Sequence, residues 1–196
     1  CKAFPRKPDG LPDIGHIQDV LQASMVSQIT GFPVHLLHEI AAAVNESNPV
    51  DTVLSYCHYN LLNTTLMDRL APFAVANNIG LINASVLHMG ALTPQGAQDW
   101  HPAPAEVHAA ASKAHALAES HRAKLTDIAL QFALSNDDVS STLVGMRTPE
   151  EVAQSVAVAG VAPDAGLLAE IQAALAPVKD RSWPSGLPEN YEPGVR

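Results

Sequence analysis

The sequence predicts an α/β fold in which a parallel sheet carries helices on its outside. Short runs rich in Val, Ile and Leu are each followed by apolar residues at helical spacing, so that strand and helix alternate four times. Gly, Pro and Asn residues separate these segments, as expected of turns. With 196 residues, 47% of them hydrophobic, the chain can bury the core of one such domain. Alternation of this kind implies parallel strands, because each helix returns the chain to the same end of the sheet.

The first unit begins with a predicted strand at 26–30. Gly31 then turns the chain, and Pro33 suits the first turn of a helix, where its missing N–H is tolerated. The apolar positions of this helix recur every three or four residues: Leu36, Leu37, Ile40, Ala41 and Val44. The helix ends at 45–49. Before it, residues 1–24 are rich in Pro and Gly and are predicted to form an irregular arm.

The second unit pairs a strand at 51–56 with a helix that Asn63 or Thr64 could cap. The apolar face of that helix consists of Leu66, Leu70, Phe73 and Ala74, and two asparagines end it. The third strand is predicted at 79–84. It leads into a long loop at 85–104.

The rest of the chain completes the third and fourth units. The predicted elements are helices at 106–121 and 125–134 (capped by Lys124 or Thr126), a strand at 141–146, and helices from 148 and at 167–175. Thr148 is predicted to cap its helix, with Pro149 at the first position and two glutamates in the first turn, where acids suit the helix dipole. Residues 25–180 are therefore expected to form one domain, followed by an irregular tail at 181–196.

Four strand–helix units match half of an eight-stranded barrel. No G-x-G-x-x-G motif follows the first strand, and no P-loop motif occurs in the sequence. Loops of uneven length between the units are typical of a (β/α)8 TIM barrel, which takes ~250 residues when complete. The sequence therefore predicts a half-barrel.

Composition and charge exclude several classes of function. The net charge is −9, from 20 acidic and 11 basic residues, and no basic stripe occurs, so we expect no nucleic-acid partner. No apolar run approaches the ~20 residues of a membrane span. Two cysteines are too few for a disulfide framework, which favours a reduced, cytoplasmic setting. The nine histidines show no second pair at ligand spacing, so no metal site is predicted.

Several short motifs follow one another along the chain. They are ITGFP (29–33), VDTVLSYCHYN (50–60), LINASVLHMGALTPQG (81–96), DWHPAP (99–104), STLVGMRTPEEVAQS (141–155) and WPSG (183–186). Together they resemble the C-terminal half of the aldo-keto reductases, most closely the branch that includes the L-galactose and D-threo-aldose 1-dehydrogenases. The resemblance implies strands 5–8 of a (β/α)8 barrel that binds NAD or NADP. It also implies oxidation of an aldose at C1 to a lactone.

The resemblance implies seven cofactor-binding positions: Thr30, Ser85, Gly145, Met146, Arg147, Glu151 and Ser155. Thr30 stands where the family places a Ser-Asn pair at the carboxamide. Ser85 keeps a phosphate-binding position, although Ala84 replaces the aromatic ring that stacks on the nicotinamide. Around Ser55 and Tyr56 the family's Gln is missing. Residues 145–147 precede a helix N-terminus, where backbone N–H groups suit a phosphate or ribose oxygen.

Each of these roles has an ordinary alternative. Thr30 could serve only as a helix cap, and Ser85 could simply end a strand. Glu151 could be a surface acid that compensates the helix dipole. If Glu151 does face the cofactor, it stands near the place where NADP-binding members carry Arg or Lys. A carboxylate repels a 2′-phosphate and can accept a hydrogen bond from a 2′-hydroxyl, which favours NAD. Arg147 could still reach a phosphate, so NADP stays open.

The family's catalytic Asp, Tyr, Lys and His come from the first four strands of the barrel, and the resemblance gives no counterpart for them here. HIQDV (16–20) resembles the family's fourth-strand motif HIHDV, with Gln18 at the position of the catalytic His. Only residues 21–28 separate it from ITG, so either the match is chance or the region is internally deleted. We therefore expect no catalytic residue in this chain, a catalytically incomplete C-terminal fragment, and no dehydrogenase activity from it alone.

A second hypothesis assigns no catalysis to the chain. A half-barrel has two unpaired sheet edges and one open apolar face, which favour self-association. In this interpretation the chain is a binding or assembly module, and a homodimer would restore eight strands.

Overall fold

The computed structural model describes residues 28–45 and 50–191. Within these ranges the chain forms a four-stranded parallel sheet whose strand order follows the sequence. The strands are β1 (Gln28–Gly31), β2 (Thr52–Tyr56), β3 (Gly80–Ala84) and β4 (Ser141–Leu143). This sheet with its helices confirms the predicted α/β fold of a partial barrel. The predicted arm at 1–24 lies outside the described residues.

Six α-helices connect or flank these strands in the described ranges. They are α1 (Val34–Asn45), α2 (Leu70–Ala76), α3 (Ala105–Ser120), α4 (Leu125–Leu134), α5 (Pro149–Val158) and α6 (Ala165–Leu175). Short 3-10 turns occur at Thr65–Met67, His88–Gly90, Ala176–Val178 and Pro188–Asn190. Five of these six helices lie close to their predicted positions, because their apolar spacing is regular, and α2 is the exception.

The two faces of the sheet differ in burial. Ile29, Val53 and Leu81 lie side by side in register and are buried against the apolar faces of α1 and α2. Each such side chain contributes ~1.5–3 kcal/mol of burial free energy. On the opposite face Leu54 and Ile82 are only partly buried. In a closed barrel this second face points towards the barrel axis, so its openness follows from the presence of four strands rather than eight.

A second core lies between α3, α4 and α6. The buried face of α3 is made of one valine and four alanines: Val107, Ala110, Ala111, Ala114 and Ala118. Small side chains at helical spacing let a neighbouring helix approach closely. Leu167, Ile171 and Leu175 of α6 pack into this cluster. Trp183, from the predicted irregular tail, is buried in the same cluster, so the described part of the tail is attached to the domain.

The second predicted helix is wrong in its start and its caps. Thr64 makes no side-chain capping bond, and α2 begins only at Leu70. The Asn63 side chain instead accepts hydrogen bonds from the backbone N–H (3.0 Å) and the hydroxyl (2.7 Å) of Thr65. Buried Asn60 holds the same loop by accepting from the N–H groups of Leu62 and Asn63. Such local side-chain bonds compete with the helix and delay its start.

Two other boundaries and one helix cap differ from the prediction for local reasons. β4 ends at Leu143 rather than 146, because β3 is its one hydrogen-bonded neighbour in the sheet and Gly145 follows. Lys124 occupies the N-cap position of α4 without a side-chain bond, since lysine has no acceptor. Asp164 caps α6 by accepting from the N–H of Leu167 at 2.8 Å, so the helix starts two residues before its predicted first residue. The predicted Thr148 cap of α5 is confirmed.

Candidate functional site

A groove opens where the carboxyl ends of β3 and β4 meet. It has a volume of about 560 Å³. One wall is the loop after β3, from Ser85 to Gln98, and the other is the segment from Leu143 to Ser155. In parallel α/β folds the carboxyl ends of the strands are where ligands bind, because the connecting loops and helix N-termini converge there.

Six of the seven positions expected to bind the cofactor line this groove: Ser85, Gly145, Met146, Arg147, Glu151 and Ser155. The seventh, Thr30, does not line it. Thr30 is exposed on β1, and β2 separates it from β3. The structure therefore brings together the positions that follow strands β3 and β4. That they contact a cofactor stays a prediction.

Two strained residues follow neighbouring strand ends. Cys57 and Ser85 have left-handed backbones, with φ of 65° and 57°, directly after β2 and β3. The N–H of Cys57 donates to the carbonyl of Ala84 at 3.1 Å, which ties the two strand ends together. A left-handed non-glycine residue costs ~1–2 kcal/mol and persists where the surroundings fix it, often at functional sites. The pattern of residue types gave no signal of this geometry.

The hydroxyl of Ser85 has an internal partner in the Cys57 thiol. Burial raises the pKa of Cys57 to about 12, and the hydrogen bond with Ser85 opposes that shift. The thiol is therefore neutral at physiological pH and unsuited to nucleophilic work, because the thiolate is the reactive form.

The N-terminus of α5 carries an internal ion pair. The carboxylate of Glu151 accepts from the backbone N–H of Arg147 (2.6 Å) and from its guanidinium (2.9 Å). These bonds lower the pKa of Glu151, and the same pairing raises the pKa of Arg147. These bonds favour the ionised carboxylate of Glu151 at the groove, and the Arg147 side chain pairs with it while remaining largely exposed. A carboxylate at this place also satisfies the helix dipole.

Side-chain hydrogen bonds from α4 fix both α5 and the loop after β3. Gln154 donates to the carboxylate of Asp127 at 2.5 Å, and Thr126 donates to the carbonyl of Leu92 at 3.3 Å. Both Thr126 and Gln154 line the groove, yet the sequence analysis missed them. Gln154 could have been found from its spacing, since residues three and four apart share one helix face. The length of the loop at 85–104 was a second signal, because loops beyond ~12–15 residues are usually functional.

Two tyrosines, Tyr56 and Tyr59, lie at or just after the end of β2. Burial raises the pKa of both Tyr56 and Tyr59. A tyrosine that exchanges protons near neutral pH needs the opposite shift, from a nearby cation. The described ranges contain no cluster of three or more His, Cys, Asp or Glu suited to a metal ion. In the same part of the chain no helix combines the length and apolar character that crossing a membrane requires.

Comparison with known proteins adds independent evidence. The model of the Aldo/keto reductase family matches residues 27–176. L-galactose dehydrogenase of Arabidopsis thaliana is 40% identical over 166 residues, covering 83% of this chain and 51% of that protein. Pyridoxal 4-dehydrogenase of Microbacterium luteolum is 32% identical over 130 residues, covering 64% of this chain and 38% of that protein.

A more distant relative shows the same partial coverage. D-threo-aldose 1-dehydrogenase of a Pseudomonas species is 26% identical over 156 residues, covering 77% of this chain and 47% of that protein. The chain therefore spans about half the length, or less, of these curated relatives.

Proposed function

The chain belongs to the aldo/keto reductase family, and from this premise we propose that it forms the dinucleotide-binding side of an aldose 1-dehydrogenase. The observation that carries the proposal is the convergence of six expected cofactor positions on one groove. The reaction proposed for the whole enzyme removes a hydride from C1 of an aldose such as L-galactose and a proton from its 1-hydroxyl. The product is the lactone. A bound nicotinamide would supply the hydride acceptor.

The groove suits the phosphate and ribose part of a dinucleotide. Gly145 lines it, and beyond its two chain neighbours no residue has an atom within 4 Å of the place where a Cβ would stand. A ligand can therefore approach the backbone closely here. Residues 145–147 precede the N-terminus of α5, where N–H groups and the helix dipole favour anions. Ser85 offers a hydroxyl from the facing wall.

The ion pair at α5 supports NAD over NADP. Glu151 is held ionised beside the groove by Arg147. A 2′-phosphate brought to this carboxylate would meet a like charge, whereas a 2′-hydroxyl could donate a hydrogen bond to it. The charge of the Arg147 guanidinium is already paired with Glu151, so less of it remains to attract a 2′-phosphate. We therefore propose NAD as the cofactor.

Binding measurements test this function directly. The 196-residue chain is titrated with NADH and with NADPH, and the dissociation constants are compared by calorimetry. We expect NADH to bind more tightly, by roughly tenfold for one unfavourable charge contact. Tighter binding of NADPH contradicts the cofactor proposal, and no binding of either nucleotide contradicts the site.

A second experiment concerns turnover. We propose that the chain by itself does not oxidise sugars, because burial raises the pKa of Tyr56 and Tyr59, which is the opposite of what proton transfer near neutral pH requires. Incubation with L-galactose and NAD is expected to give no NADH absorbance above the background. Formation of NADH by the purified chain would refute this part of the proposal.

A second candidate function is a non-catalytic assembly module. The observation that favours it is the open face of the sheet, where Leu143 is 49% exposed and Leu54 and Ile82 are partly open. β1 and β4 are the edge strands of the described sheet, and each has one strand neighbour in it. A second copy could pair its β1 with β4 of the first and complete eight parallel strands. For both candidate functions we propose a cytoplasmic setting, which the low cysteine content favours.

A further inference from the structure

Three imidazoles form a chain behind the groove wall. His101, which is 6% exposed, contacts the carbonyl of His88 through its Nε2 at 2.9 Å. Its Nδ1 lies 3.1 Å from the backbone nitrogen of Ala103 and 3.3 Å from Nε2 of His108, in the first turn of α3. His101 therefore links α3 to the loop after β3, although it lies outside the groove itself.

The partners of His101 determine its tautomer. The N–H of Ala103 can only donate, so Nδ1 of His101 must carry a lone pair. The proton of the neutral ring is then on Nε2, which donates to the carbonyl of His88. All polar atoms of the ring are satisfied in this form. A second proton on Nδ1 would place two donors against each other at Ala103.

The carbonyl that His101 holds lies in the most strained part of the groove wall. His88 and Met89 are consecutive left-handed residues, with φ of 50° and 52°, and Gly90 follows with φ of 99°. Leu87, Met89 and Gly90 line the groove. Consecutive left-handed residues of this kind persist only where other contacts fix them. The hydrogen bond from His101 is such a contact.

We propose that His101 is a positioning residue that holds the groove wall in its ligand-binding shape while its ring is neutral, and that protonation of the ring releases the wall. We call the contacts of His101 with His108 and with the carbonyl of His88 the clasp. The identity of the ligand rests on the function proposed above.

The electrostatic surroundings give the direction of the pH effect. Burial lowers the pKa of His101, the bond to the His88 carbonyl opposes that shift, and His108 lowers the pKa further. His88 faces His101 from the loop after β3, with His58 from the loop after β2 behind it, and burial lowers the pKa of His88 to about 3. The clasped state therefore prefers neutral His101, and the clasp opens as the pH falls below the ordinary histidine pKa of 6.5.

The chain contains a natural reporter for this event. It has two tryptophans, and the rings of both lie against His101: Trp100 at 6.3 Å and Trp183 at 5.6 Å. A charge on the imidazole or a movement of the loop changes the surroundings of both indoles. Intrinsic tryptophan fluorescence therefore follows the clasp without any ligand.

The test combines fluorescence, hydrogen exchange of residues 85–104 and titration with ADP-ribose, each at about pH 7.5 and about pH 5.5. Because intrinsic amide exchange slows as the pH falls, exchange of the loop is expressed as protection relative to the intrinsic rate at each pH. For the unaltered chain we expect a fluorescence transition below pH 6.5, weaker protection of the loop in acid, and roughly five- to tenfold weaker binding of ADP-ribose. His101→Gln keeps a donor for the His88 carbonyl but cannot gain a proton. We expect this variant to bind ADP-ribose with the same affinity, and to protect the loop from exchange to the same degree, at both pH values.

His101→Ala and His121→Gln complete the set. The alanine variant lacks the donor, so at neutral pH its loop should be as weakly protected from exchange as that of the unaltered chain in acid. His121→Gln is the matched control, because the His121 imidazole lies 3.4 Å from the carboxylate of Glu170 in α6 and does not contact the clasp. This variant should retain the full pH response.

The outcomes separate the two proposals. If the loop of the unaltered chain keeps its protection from exchange in acid, or if His101→Gln shows the same pH response as the unaltered chain, the proposed clasp is contradicted. If loop exchange responds to pH as expected but ADP-ribose binds at neither pH, the clasp stands and the proposed nucleotide site fails. Should the alanine variant not fold, the glutamine variant and the pH curve of the unaltered chain still decide.

Discussion

At the scale of single residues, the carboxylate of Glu151 is the side chain on which cofactor choice depends. We predict that Glu151→Gln strengthens NADPH binding by roughly tenfold and changes NADH binding by less than about threefold, because the amide carries no charge to repel a 2′-phosphate. The measurement is calorimetric titration of both nucleotides. Glu150→Gln is the matched control, since Glu150 lies in the same first turn of α5 but does not line the groove.

Two results would contradict this role for Glu151. Equal changes in the two glutamine variants would indicate a general effect of charge. An unchanged ratio of NADPH to NADH affinity in Glu151→Gln would leave the carboxylate as a surface acid that compensates the helix dipole.

Cys57 gives a prediction about chemical reactivity. Its pKa of about 12 means that about one thiol in 10⁴ is ionised near pH 8, and the side chain is buried as well. In a Cys1→Ser background we expect iodoacetamide to leave Cys57 unmodified in the folded chain and to label it fully in urea. Peptide mass spectrometry follows the reaction. Rapid labelling under native conditions would show that the thiol is accessible.

His88 should make the fold sensitive to acid. It is fully buried, and its two ring nitrogens have no hydrogen-bond partner among the described residues. The pKa is about 3 in the fold and ordinarily 6.5. The unfolded chain therefore binds the extra proton first, so stability is fully present above about pH 6.5 and is lost as the pH falls towards 3.

His88→Leu removes this titration at similar side-chain volume. We expect the variant to be at least as stable as the unaltered chain at pH 7, because an unpaired imidazole is costly to bury. Towards pH 4 it should lose less of its unfolding free energy, by an amount on the order of 1–3 kcal/mol. Urea denaturation at several pH values measures both effects. Parallel pH curves for the two proteins would exclude His88 as the source.

At the scale of elements, the cap of α5 determines how firmly one wall of the groove is built. The Thr148 hydroxyl accepts from the N–H of Glu151 at 3.2 Å. We predict that Thr148→Ala lowers the unfolding free energy by ~1 kcal/mol and that Thr148→Ser retains most of it, because serine caps equally well. Denaturant unfolding measures the difference. An alanine variant as stable as the serine variant would mean that α5 frays before the fold unfolds.

Element boundaries also show how far sequence patterns can be trusted. The helices at 106–121 and 125–134 were predicted within one residue at each end, because each has a continuous apolar face. The predicted helix after Asn63 failed because buried Asn60 and Asn63 bind neighbouring N–H groups and fix a turn. A sequence contains those asparagines, but it does not show that they are buried and paired with their own backbone.

At the scale of the whole molecule, the open sheet face gives a prediction about association. If the face takes a second copy, light scattering after size exclusion should give twice the chain mass. Ile82→Lys should then give monomers, because a charge on the covered face opposes its burial. Val75→Lys is the control, since Val75 is exposed on α2, on the other side of the sheet. A monomer at concentrations of about 50 µM would exclude the dimer in solution.

The sequence by itself determined the order of strands and helices, the parallel sheet, the family, and the segments that follow β3 and β4. Periodicity and capping residues act locally, and motifs can be recognised without coordinates. Only the tertiary structure decided that Ser85 and Arg147 face one groove while Thr30 lies two strands away. It also revealed the pairing of Arg147 with Glu151, the left-handed turn at His88 and the imidazole chain through His101. These depend on register, burial and backbone angles, which come from contacts between residues far apart in the sequence.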